Sequence, residues 1–406
     1  MDTTPSTSAW ASYLRLMLTS AVIVIAMVGL FNAFIDPLGV FGSPRIAQIN
    51  AIKPHLDHHR ELARYQGAYR LCPNAGFFGN SRVEIGFDPE SPALAAQGLS
   101  AFNHAIPGTG AGTTLRQIIW LENAKCFPKT VFLGVEFFDF LGGSAPLKLP
   151  RLATYPAPQR NARFFAESVF SITGLRDSLT TIAVQRSRYP ATTTDRGLNP
   201  LLNYISEVEQ SGHYVLFRQR AEENARNWTR KPKRLRPIQG GISDDEAMLD
   251  AIVSHAADGG SMTYLIIYPY HAEIRMMIER LGLGDLFADW KRIIVGIAEK
   301  NSDRDGKVQV WDFSGIAPET LEAIPVKGDR KTHLAYYWEA GHFKKELGEL
   351  VIERLLGKPS NFGIQLNSQN LESWLAEDRR RVQALLHTPS PLASEVEDLL
   401  APRNQN

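Results

Sequence analysis

The 406 residues allow one large domain or two ordinary ones, and 44% apolar residues are enough for a sizeable core. A formal net charge of +1 argues against bulk electrostatic attraction to nucleic acid. Two cysteines, Cys72 and Cys126, and the lack of any zinc-type Cys/His spacing argue against a metal module, and no cofactor is expected.

Leu16–Ile35 carries no charged residue and has about the length a helix needs to cross a bilayer. Asp36-Pro37 closes the run, because proline disfavours helix in the residue before it. Residues 1–36 therefore read as an uncleaved signal anchor, with membrane contact through residues 14–35. A buried core helix and a cleaved signal peptide are the alternatives. The run is long for a signal peptide, and no small-x-small cleavage site follows it. Arg15 lies on one side, and Arg45, Lys53, Arg60 and Arg64 on the other, so the positive-inside rule does not set the orientation.

Residues 37–68 read as a connector with Pro37, Gly39, Gly42, Pro44 and Pro54 and a polar run from Lys53 to Arg64. His55, Asp57, His58 and His59 lack a second ligand cluster, so a solvated basic segment is favoured over a metal site. From Ala75 strands and helices alternate. Strands are expected at Ala75–Gly79, Ser100–His104, Thr130–Val135, Met262–Tyr268 and Val308–Phe313. Helices are expected at Thr114–Ala124, Asp244–Ala257, His271–Leu281, Leu286–Lys300 and Glu339–Leu356. Such alternation implies an α/β domain, residues 69–357, with a parallel sheet covered on both faces. Residues 141–241 break the pattern and read as a helical insertion over the C-terminal edge of the sheet, where loops form sites. Residues 358–406 read as a helical tail built around Leu371–Leu386 and Leu392–Leu400.

The chemistry-bearing residues lie at the ends of this domain. Ala75-Gly76-Phe77-Phe78 ends in Gly79-Asn80-Ser81-Arg82, which delivers a serine to the top of a sheet. A serine needs a base to act as a nucleophile. His342 is the candidate base, and Glu339, three residues earlier in the turn opening the last helix, is the candidate to orient it. The ordinary alternative is a first-turn acid and a helix-face histidine. The Ser81 amide and the Gly108 amide, in the glycine-rich turn after the second strand, are candidate oxyanion donors. Tyr270 and His271 follow the fourth strand, where their rings suit stacking on sugar faces.

Taken together, these blocks resemble the SGNH (GDSL-like) hydrolases. Gly79-Asn80-Ser81 is similar to their first block, Asn103 five positions before Gly108 to their second, and Glu339-Ala-Gly-His342 to their last, normally Asp-x-x-His. The third block departs: Gly134-Val135-Glu136-Phe137 puts Glu136 where an asparagine normally donates to the oxyanion. An ionised carboxylate there would repel the oxyanion, unless it is protonated or Arg82 pairs with it. Arg82 is alternatively a substrate-orienting residue or one half of a surface ion pair. The resemblance covers roughly residues 70–140 and 260–357. It implies a flavodoxin-like three-layer fold with strand order 2-1-3-4-5, and substrate contacts by Asn103 and Arg82. The membrane helix and Tyr-Trp-Glu-x-x-His-Phe look closest to the membrane-anchored branch near bacterial alginate O-acetylation proteins. That branch implies a domain in the periplasm, anchored in the bacterial inner membrane. It also implies acyl-ester chemistry on an exopolysaccharide and other polysaccharide-biosynthesis proteins as partners. An inactive glycan-binding or assembly component is the alternative.

In that strand order the first and third strands are neighbours, and Cys72 precedes Gly79 by about the spacing at which Cys126 precedes Gly134. A disulfide between them is one expectation, two unrelated buried thiols the other.

Overall fold

The computed structural model describes residues 7–56, 60–144 and 162–401. The chain forms two compact units: residues 1–67 with 156–192, and residues 68–155 with 193–406. The segment read as one insertion is thus divided between them. Asp57, His58 and His59 of the histidine-rich connector lie outside the described residues. His55 Nε2 stands 3.8 Å from Asp177 Oδ1.

The first unit is built on the helix Thr7–Ile35. Its stretch Trp10–Ile35 is long and apolar enough to cross a membrane, with a mean hydropathy of 2.3. A core helix would be enclosed, whereas this one is exposed from Trp10 through Met27. Its C-terminal end is locked by side chains. Asn50 Nδ2 donates to the Phe34 and Ile35 carbonyls at 3.2 and 3.3 Å, taking up acceptors that a helix end leaves open. The buried Asp36 carboxylate accepts the amides of Val40 and Gly42 at 2.7 and 2.9 Å and pairs with Lys53 Nζ at 3.2 Å.

The second unit holds a six-stranded sheet. Its strands are β1 (Ala75–Phe78), β2 (Ala101–Asn103), β3 (Thr130–Val135), β4 (Met262–Ile267), β5 (Lys307–Asp312) and β8 (Ile364–Leu366). The order is β2-β1-β3-β4-β5-β8. The first five are parallel, and β8 joins β5 antiparallel. The expected order covers those five. The sixth strand has three residues, too few to carry a period. Strands buried on both faces read as continuous apolar runs, and β1 is buried at every position. Register aligns Phe77, Phe132 and Tyr264 across β1, β3 and β4, and their rings stack at 4.7 and 5.2 Å.

A separate hairpin, β6 (Tyr337–Glu339) and β7 (His342–Phe343), turns through Ala340-Gly341. Here the structure corrects the expected helix Glu339–Leu356: the helix begins only at Lys345 and runs to Leu355. The C-terminal helices Leu371–His387 and Pro391–Leu400 belong to the sheet unit. The first is tied to the core by buried charges. Lys291 Nζ meets Asp312 Oδ2 at 2.6 Å and Asp378 Oδ2 at 3.2 Å, and Arg275 meets Asp378 at 2.7 Å. Burial alone would raise the Asp312 pKa, but Lys291 and hydrogen bonds from Ser314 and Trp374 outweigh it and hold the carboxyl below its usual range.

Cys72 and Cys126 form a disulfide, with Cα atoms 4.9 Å apart. They precede β1 and β3, which pair directly with Ala75 opposite Thr130.

Candidate active site

Ser81 opens the short helix Ser81–Gly86 directly beyond β1. The chain reverses at Gly79, whose φ of +145° few side chains tolerate. A Cβ at Gly79 would lie 2.9 Å from Tyr268 Oη, and one at Gly134 would lie closer still. Both glycines therefore make room for that buried ring. Asn80 caps the helix, its Oδ1 accepting the Arg82 amide at 3.1 Å and the Tyr268 hydroxyl at 3.3 Å. The Ser81 amide, at the first helical position, keeps no partner among the described residues.

The hairpin carries the other two groups to the serine. Phe343 packs against Gly86 and lies 5.4 Å, ring to ring, from Phe87. This docks β7 on the serine helix. His342 Nε2 then stands 2.8 Å from Ser81 Oγ. On its other side, His342 Nδ1 bonds Glu339 Oε1. The carboxylate fixes the tautomer: Nδ1–H donates to Glu339, so Nε2 accepts the Ser81 hydroxyl proton. Glu339 is buried, which by itself would raise its pKa. His342, Arg220 and the Gly341 amide, at 2.5 Å, outweigh burial and hold it at about 2.

Glu136 is the residue that differs from the oxyanion expectation. It lies just beyond β3 and is nearly enclosed. Its Oε2 pairs with Arg82 Nη1. Its Oε1 accepts the Tyr270 hydroxyl at 2.7 Å and the Phe138 amide at 3.3 Å. The Glu136 carboxyl is thus engaged by three donors, with Arg82 as its charge partner. Arg82 stands 5.7 and 5.4 Å over the Tyr268 and Tyr270 rings. Burial would lower its pKa, but Glu136 and the two tyrosines raise it above the arginine norm.

Three residues expected to touch substrate, Asn103, Tyr270 and His271, are enclosed. Asn103 is fully buried. Its Nδ2 donates to the Val83 and Phe87 carbonyls at 2.8 and 3.0 Å, so it braces the serine helix from below. Tyr270 is enclosed, and its hydroxyl is taken by Glu136. His271 is enclosed between Phe217 and Tyr337, with ring centroids at 5.1 and 5.0 Å. Its Nε2–H donates to the Glu322 carbonyl at 2.8 Å, and burial pushes its pKa down to about 4. A strand end in a parallel sheet suggests an open edge; here helix His213–Thr229 and the hairpin cover it.

Gly108 is exposed in the turn after β2 with φ of +70°. Two residues earlier, the Ile106 amide donates to the Gly79 carbonyl at 3.1 Å, which fastens this turn to the serine loop. A cavity of about 30 Å³ lies between Gly79-Asn80, Thr109-Gly110 and the Glu136 side.

Two contributors carry no sequence signal. Arg220, on helix His213–Thr229, places Nε 3.3 Å from Glu339 Oε1. Glu322 accepts the amides of Ala335, Tyr336 and Tyr337 at 2.5, 2.9 and 3.2 Å, which sets the path into the hairpin. Both act across long stretches of chain, from segments without a motif. No group of three or more metal-ligating side chains occurs among the described residues.

No family model matches this chain, and no curated protein matches it.

Proposed function

We propose that this chain is a membrane-anchored serine esterase or O-acyltransferase of the SGNH type, acting on acyl esters of an envelope or secreted glycan. The observation that carries the reading is the relay Ser81 Oγ–His342 Nε2, with His342 Nδ1 held by the ionised Glu339. In the reaction, Ser81 Oγ attacks the acyl carbon and its proton passes to His342. The Ser81 and Gly108 amides receive the oxyanion. His342 returns the proton to the departing sugar oxygen, leaving the acyl group on Ser81. Water completes a hydrolysis; a second sugar hydroxyl completes a transfer. In either case His342 accepts the incoming proton and passes it to Ser81 as the acyl–oxygen bond breaks.

Arg82 supports an active site over an inactive one. It neutralises the carboxylate that stands where the resembling family has asparagine. The run β2-β1-β3-β4-β5 supports a flavodoxin-like, three-layer core with the serine beyond the first strand. The exposed apolar helix supports anchoring, and the disulfide supports an oxidising compartment, which in a bacterium is the periplasm beyond the inner membrane. Glycan substrates and polysaccharide-assembly partners follow from the family resemblance alone.

The test is turnover of O-acetylated polysaccharide and of an activated acetyl ester by the full chain and by Ser81→Ala. Acetate release or transfer that disappears in Ser81→Ala supports the reading. Glycan binding with no turnover by the native chain favours the assembly component.

A further inference from the structure

The feature left unexplained by the candidate active site is the helical pair that covers the foot of the N-terminal helix. Exposure along that helix changes abruptly. The residues from Trp10 to Met27 are exposed, and 18 residues rise about 27 Å at ~1.5 Å each. That is close to the ~30 Å of a bilayer's hydrocarbon core. Trp10 and Tyr13 begin the run, as aromatic residues do at a membrane interface. At the other end Gly29, Asn32 and Ile35 are buried.

The cover is the pair of helices Ala162–Val169 and Ile172–Ala183. A Cβ at Gly29 would sit 2.5 Å from Phe170 Cε1. Asn32, a polar residue within the apolar helix, donates from Nδ2 to the Val169 carbonyl at 2.8 Å and accepts the Ser178 hydroxyl at 2.9 Å. The turn joining the two helices is therefore level with the point where the exposed run stops. Apart from the Phe170 ring edge that meets Gly29, its side chains are open: Phe170 is 58% and Ile172 87% exposed. Leu179 and Ile182, seven and ten residues beyond Ile172, continue the exposed apolar face. Arg176, one helical turn beyond Ile172, is exposed and suits anionic headgroups.

We propose that the turn Phe170-Ser171-Ile172 is a second membrane contact, seated in the boundary between headgroups and acyl chains beside the N-terminal helix. The occupant is lipid rather than protein because this apolar surface is continuous with the uncovered face of a helix suited to span the bilayer. The proposal rests on the reading of that helix as a membrane span. Two contacts at one interface fix the depth and rotation of the unit, which a lone helix leaves free.

The test uses the full chain in vesicles of phosphatidylcholine and phosphatidylglycerol. Nitroxide labels are placed at Ile172→Cys, Leu18→Cys and Ile238→Cys, one per variant. The native cysteines are bonded to each other and do not compete for label. Power-saturation electron resonance compares accessibility to oxygen, which concentrates in lipid, with that to a water-soluble nickel chelate. Ile238 is 80% exposed in the sheet unit and serves as the aqueous reference. The expected oxygen-to-nickel ratio at Ile172 is several-fold above that at Ile238 and below that at Leu18, and Phe170→Cys repeats it. A ratio at Ile172 equal to that at Ile238, with Leu18 high, overturns the second contact and leaves the span standing. A Leu18 ratio equal to that at Ile238 overturns the span and the contact together. Shielding of Ile172 from both reagents shows a protein cover and also overturns the proposal.

Discussion

Arg82 is paired with Glu136, one residue past the serine and in the same enclosed pocket as Tyr268 and Tyr270. Neither charge is sustainable alone there. Arg82→Met strands a nearly enclosed carboxylate, and removing one partner of a buried pair costs about 3–5 kcal/mol. Urea unfolding is expected to show that loss in Arg82→Met and to show most of it recovered in the double variant Arg82→Met/Glu136→Gln. Equal stability of the native chain and Arg82→Met would show that the pair does not hold this pocket together.

Glu339 holds the histidine as an anion, because its pKa stays at about 2 despite burial. Glu339→Gln keeps the shape but removes the charge and the acceptor that set the tautomer. Ester turnover is expected to drop by about 10³–10⁴-fold, with KM changed little. Steady-state kinetics on an activated acetyl ester checks this.

A buried carboxyl outside the relay gives the fold a pH signature. Burial, with help from the charge of Glu339, pushes Glu273 from an ordinary 4.5 up to about 8. Below 4.5 the folded and unfolded forms both hold the proton, so the group adds no slope. Between about 4.5 and 8 only the folded form holds it, so its contribution lowers stability as pH rises, and levels off above 8. Melting temperature against pH is expected to fall less steeply in Glu273→Gln than in the native chain over that window.

The disulfide closes a loop over a sequence separation of 54. Chain-entropy reasoning assigns such a loop about 2–4 kcal/mol of stability. Cys72→Ala/Cys126→Ala is expected to lose that much in urea, with the active-site relay intact. Mobility on gels with and without reductant should differ for the native chain alone.

Much of the fold is readable from the sequence because the residues concerned obey local rules. β1 and β3 are short apolar runs with no alternation, as strands covered on both faces read. The cysteines share a register that puts them together once β1 and β3 pair. Glu339 and His342 stand out by their spacing, but three residues apart fits both a helical turn and a two-residue hairpin. Packing of Phe343 against Gly86 and the Glu322 carboxylate on the preceding amides decide for the hairpin. Tyr270 and His271 read as open surface, since nothing in their neighbourhood announces the helix His213–Thr229 that encloses them. The chain separation between Arg220 and Glu339 defeats any local pattern.

The most direct measurement is intact-mass spectrometry of the full chain after exposure to a small fluorophosphonate, followed by peptide mapping. A working relay predicts one adduct, on Ser81, absent from Ser81→Ala and strongly slowed in His342→Ala. No adduct on the native chain, or an adduct that persists in Ser81→Ala, would contradict it.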